Sequence, residues 1–165
     1  MPRPAPDIIS HWHRLYEGLP ESPQKVYSLL EEAIKKRQLP GVEIFRITIH
    51  EKGILSAKRE YLRVLCKKHT FDICAAPYGT GFFISWWLGE LPAGCLASLL
   101  NIPILGLLLS FLSPRETYYT YDTALMFQDS VHAAVLEVFD HLTSEKGIRL
   151  TELERKPVMG SVMKQ

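Results

Sequence analysis

The chain has 165 residues, 47% of them hydrophobic, with a mean hydropathy of zero and a formal net charge of +1. That length supports one core of ordinary size, and the composition excludes disorder as a description of the whole. Near-neutrality argues against a dedicated nucleic-acid binder, which carries a basic surplus on one face, so no nucleic-acid partner is expected.

The charge is unevenly spread. Met1–Asp72 holds 13 Lys/Arg and 9 Asp/Glu, Arg115–Gln165 holds 6 and 8, and Glu90 stands alone between them. Three cysteines, Cys66, Cys74 and Cys95, make no disulfide framework and suit a reducing compartment. The opening MPRPAPDIISHWH lacks the apolar core of a signal peptide, so any membrane address is expected to be internal.

In chain order, five prolines among residues 1–23 predict an irregular arm over 1–21. Ser22-Pro23 then reads as a helix start, a serine cap followed by proline at the first helical position. Val26, Leu29, Leu30, Ala33 and Ile34 repeat at helical spacing, and Pro40-Gly41 ends the helix. Four β-prone runs follow: Val42–Ile49, Glu60–Cys66, Thr70–Ala76 and Gly81–Leu88. Their short connections predict a four-stranded antiparallel meander, with the first helix on one face. From 90 to 114 the chain is apolar, with no charge between Leu91 and Pro114. Within 115–147 an amphipathic helix is expected over 123–142, with Ala124, Phe127, Val131, Ala134, Val135, Val138 and Leu142 on the face that packs against the sheet. Residues 148–165 read as a polar tail. The expected fold class is α+β, with an apolar helical hairpin or segment between the sheet and the last helix.

The apolar segment admits three readings. Its 24 residues exceed the roughly 20 that a helix needs to cross a bilayer. Pro92, Gly94, Asn101, Pro103 and Gly106 interrupt it, which also suits a re-entrant hairpin turning at Asn101–Pro103, or two short helices buried on the sheet. A single crossing would put the sheet and the last helix on opposite sides of the membrane, leaving that helix's apolar face without its partner. Membrane contact is the reading adopted, through Trp86, Trp87, Leu99, Ile102, Leu107, Leu108 and Phe111, with the basic N-terminal region cytoplasmic. Tyr118, Tyr119 and Tyr121 flank the segment on its far side like an interfacial belt. Lys58, Arg59, Lys67 and Lys68 are expected to gather, with Arg63, into a headgroup-binding sheet face.

Signatures of chemistry are few. The sequence has no Walker loop, dinucleotide fingerprint, HExxH, GxSxG or CxxC. His11-Trp12-His13 and Cys66-x2-His69 are each too small a set for a metal, so neither a metal nor a cofactor is expected. No residue stands out as catalytic. Asp72 on one strand faces Arg63 on its expected neighbour, a cross-strand pair or the start of a ligand pocket with Gly79 and Gly81. Two functions follow. The first is a membrane-associated, non-catalytic binding or scaffold protein whose partner is lipid or a membrane protein. The second is a small soluble enzyme or ligand-binding protein with a pocket near Asp72 and Gly79–Gly81.

Overall fold

The computed structural model describes residues 6–50, 58–91, 117–144, 147 and 149–159. The fold is α+β. Strands β1 (Asp7–Glu17), β2 (Val42–His50), β3 (Lys58–Cys66), β4 (His69–Tyr78), β5 (Gly81–Glu90) and β6 (Val158–Met159) form one antiparallel sheet, in the order β2-β3-β4-β5-β1-β6. Helices α1 (Pro23–Lys36) and α2 (Tyr118–Ser144) pack on the same face.

The sheet is larger than the predicted four strands: the arm expected to be irregular supplies β1, and the expected polar tail supplies β6. The arm's prolines flank β1 rather than interrupt it, so every ladder N–H from Asp7 to Glu17 is available. Ser10, Trp12 and Tyr16 are buried at even spacing, the period that a strand requires. β1 pairs along its length with β5, from Asp7 opposite Glu90 to Glu17 opposite Gly81. The first strand thus lies between the last long strand and the two-residue β6 from the tail. The predicted apolar hairpin over 90–114 lies outside the described residues, apart from Glu90 and Leu91.

The Ser22-Pro23 start of α1 is realised. Ser22 Oγ accepts the Lys25 N–H at 3.2 Å, satisfying one of the orphan donors at the helix N-terminus. Val26, Tyr27, Leu30, Ala33 and Ile34 are buried against the sheet. The Tyr27 hydroxyl donates to the Glu60 carbonyl at 2.8 Å and accepts from the Ala75 N–H at 2.9 Å, joining α1 to β3 and β4. Arg46 stacks 4.6 Å over the Tyr27 ring while its guanidinium bonds Glu31 at 2.8 Å. Ser22→Ala is expected to cost about 1 kcal/mol, read as a fall of about 2–4 °C in the melting midpoint.

The core is an aromatic stack between the sheet and α2. Trp86 and Phe71 lie 4.5 Å apart, and Phe127 meets Phe71 edge-on at 6.1 Å. Lower down, Phe139 stacks on Tyr16 at 4.9 Å and reaches Phe82 at 6.3 Å. α2 begins five residues before the predicted 123. Its first turn buries nothing, so no apolar stripe announces it.

Candidate membrane-contact corner

The most informative site is where the chain leaves and rejoins the described body. At the end of β5, the Leu91 N–H donates to the Lys68 carbonyl at 2.8 Å. Lys68 belongs to the Lys67-Lys68 turn between β3 and β4, with Lys67 in the left-handed region at φ 53°. The chain returns at Thr117, whose carbonyl accepts the first N–H groups of α2 from Thr120 and Tyr121. Two residues on, the Tyr119 ring lies 5.9 Å from Lys67 Nζ. Leu91 and Tyr119, on either side of residues 92–116 in the chain, therefore both lie beside one two-residue turn.

Charge at this corner is partly cancelled. Lys68 Nζ holds Glu90 at 2.6 Å, whereas the exposed Lys67 has an aromatic face beside it. His69, next along β4, is buried, and its Nδ1 has no hydrogen-bond partner among the described residues. Burial pushes its pKa down against the raising influence of Glu90, which favours the neutral ring. The Cys66 thiol is pushed up by burial, leaving it a packing group rather than a nucleophile. Around the start of α2, Tyr118, Tyr119, Tyr121, Leu125 and Met126 are exposed, Tyr118 by 90%. Tyrosines carry an apolar ring and a polar tip, the side-chain chemistry of a membrane interface. Leu125 and Met126 were missed from sequence. Their signal was two large apolar residues lying off the buried stripe of the last helix.

Several sequence-predicted groupings do not form. Lys58 pairs opposite His50 at one end of β3, while Cys66, beside Lys67, pairs opposite His69 at the other. Eight strand steps separate Lys58 from Cys66, about 26 Å, so the four cations do not gather. Arg63, midway between, is buried and neutralised by Asp72 through two bonds of 2.6 Å. A headgroup-binding sheet face of Lys58, Arg59, Lys67 and Lys68 is thus not assembled.

Trp86 is also corrected. It is fully buried under α2, where its indole N–H donates to His132 Nδ1 at 3.0 Å, and it contacts no surface. Successive strand residues face opposite ways, so Trp87 lies on the other face, where it stacks on His11 at 4.8 Å. The expected contacts Leu99, Ile102, Leu107, Leu108 and Phe111 lie outside the described residues.

Asp72, Arg63, Gly79 and Gly81 do not converge on a pocket either. Asp72 spends both carboxylate oxygens on Arg63. Gly79 lies seven strand steps further along, about 23 Å away. It forms the two-residue turn between β4 and β5, where its φ of 59° explains the glycine. At Gly81 a Cβ would lie 3.0 Å from the Leu15 side chain and 3.1 Å from the Tyr16 carbonyl, so this glycine admits β1. Both glycines have structural reasons to be there.

Among the described residues, no group of three or more His, Cys, Asp or Glu side chains could hold a metal ion. Also among them, no helix is long and apolar enough to cross a membrane.

No protein-family model matches the chain, and no curated protein matches it in sequence. Among solved structures, it is similar to the di-domain ARO/CYC StfQ from the steffimycin biosynthetic pathway, at a TM-score of 0.35 and 13% identity. That similarity covers 86% of this chain and 53% of the other, so the chain spans about half that protein's length. A likeness this distant carries no argument about fold or function.

Proposed function

We propose that the protein is a membrane-associated, non-catalytic binding or scaffold protein that meets the cytoplasmic leaflet through residues 91–114. One observation supports this reading above others: the apolar segment departs at Leu91 and returns at Thr117 beside a single turn. With α2 packed on the sheet, one crossing of the bilayer would tear the core apart, whereas a segment that dips and returns leaves it intact. In this reading the exposed Tyr118, Tyr119 and Tyr121 lie at headgroup depth, and Lys67 takes the phosphate-facing role expected of the dispersed cationic cluster.

Flotation of the full chain with phosphatidylcholine vesicles, with and without phosphatidylserine, tests the proposal. The protein should float with both and more strongly with the anionic vesicles. Lys67→Gln should weaken the anionic component by about 1 kcal/mol, about fivefold, without changing the neutral one. Recovery of all the protein as a monodisperse species below the vesicles, without detergent, would overturn the reading.

A further inference from the structure

The C-terminal segment, residues 149–159, is tied to the body at unusually specific points. His132 on α2 accepts the Trp86 indole N–H at Nδ1, 3.0 Å away, and its Nε2 lies 2.6 Å from the Arg155 carbonyl. Since Nδ1 is an acceptor, Nε2 carries the proton and donates it to that carbonyl. Beside it, the Trp12 indole N–H donates to the Glu154 carbonyl at 2.7 Å. Arg155 forks onto Asp140 of α2 at 2.9 and 3.0 Å, and β6 pairs with Ser10 and His11 of β1. The neutral imidazole thus bridges the sheet and the tail, and only one tautomer satisfies both partners.

We propose that residues 149–159 form an acid-released latch, with His132 as its switch. A second proton on the ring makes Nδ1 a donor and sets it against the Trp86 N–H, which also donates. The ring then cannot stay between Trp86 and the Arg155 carbonyl without leaving a buried N–H unpaired. The Arg155 carbonyl, as acceptor for Nε2, and Asp129 on the imidazole's own helix favour the charged ring, whereas the Arg155 guanidinium on the tail opposes it. β1 and β5 meet it with the indoles of Trp12 and Trp86, both edge-on at 5.3 Å. Burial is the largest influence and holds the His132 pKa below its usual 6.5. The sign follows. With the latch closed the ring resists a proton that the released ring accepts, so closure is fully favoured above pH 6.5. It weakens as pH falls below that value, by at most about tenfold per pH unit. Release uncovers the Trp12 indole and the outer edge of β1 at Ser10 and His11.

Hydrogen exchange of the full chain, corrected for intrinsic rates, tests this between pH 7 and pH 5. Amides of 149–159 should lose at least tenfold in protection while those of α1 and the central strands stay protected. His132→Gln can accept from Trp86 and donate to Arg155 without titrating, so its tail should stay protected across the range. Asp140→Asn separates this from titration of the neighbouring carboxylate: it should loosen the tail equally at both pH values and keep the acid response. Should His132→Gln fail to fold, the ring nitrogen shifts of His132 in the wild-type chain give a second readout, and protonation must coincide with loss of tail protection. Equal acid release in wild type and His132→Gln, tail protection unchanged at pH 5, or His132 protonation without loosening would each overturn the proposal.

Discussion

Asp72→Ala is expected to lower the unfolding free energy by about 3–5 kcal/mol, read by urea denaturation. The reason lies in what remains. Arg63 and Asp72 are opposite each other on adjacent strands, joined by two bonds of 2.6 Å, with side chains only 9% and 8% exposed. Removing the carboxylate leaves a guanidinium in a site built for an ion pair, where water cannot replace the lost acceptor. Phe45 and Trp87 flank the pair in the same row of the sheet, and neither offers a charge to replace the lost carboxylate. The double variant Arg63→Met/Asp72→Leu removes both charges and should recover most of the loss, since exchanging a buried pair for apolar groups is often neutral or stabilising. A single variant losing under about 1 kcal/mol would mean that the guanidinium finds solvent after all. Against a typical total of about 5–15 kcal/mol, the expected loss brings the domain close to unfolding.

Trp86→Ala should cost a similar amount, about 3–5 kcal/mol, by opening a cavity at the centre of the aromatic stack. Trp86→Phe separates the two roles of this residue. It keeps most of the apolar volume but removes the N–H received by His132 Nδ1, leaving a buried acceptor bare at about 1–3 kcal/mol. Urea midpoints for the two variants give both numbers. In vesicle flotation Trp86→Phe should match the wild type, because the ring has no exposed surface. A marked loss of vesicle binding by this folded variant would restore Trp86 to the interface.

Much of the fold could be read from the residues because β-branched runs and turn glycines act locally. Ser22-Pro23 fixed the start of α1 for the same reason: capping needs only neighbours within one turn. β1 escaped because the surrounding prolines outweighed a real alternation of Ser10, Trp12 and Tyr16. β6, at two residues, has no pattern to detect and exists only because β1 supplies its partner.

The site was less legible, since proximity in sequence misled. Lys58-Arg59 and Lys67-Lys68 look like one cluster, but a strand between them carries the pairs to opposite ends of the sheet. Trp86 and Trp87 look like one belt, but the pleat sends them to opposite faces. The Arg63–Asp72 pairing was readable because its two strands are joined by a two-residue turn that fixes their register. The partnership of His132 with Trp86 and the tail was not, because three distant segments must come together before the imidazole acquires its partners.

The placement of β1 also bears on biosynthesis. Asp7 pairs with Glu90, so the first strand made must wait for the fifth before its ladder can close. At about 5–20 residues per second of synthesis, that delay is on the order of 10 s. During that interval Trp12 and Tyr16 have no sheet to cover them, and the ladder groups of β1 are open to any passing chain. The partner strand emerges from the ribosome immediately ahead of the apolar segment, so the sheet can close only as that segment is being made. Under the proposed membrane contact, the rate of β1–β5 pairing would set whether the nascent chain meets a bilayer with a finished sheet or an open one.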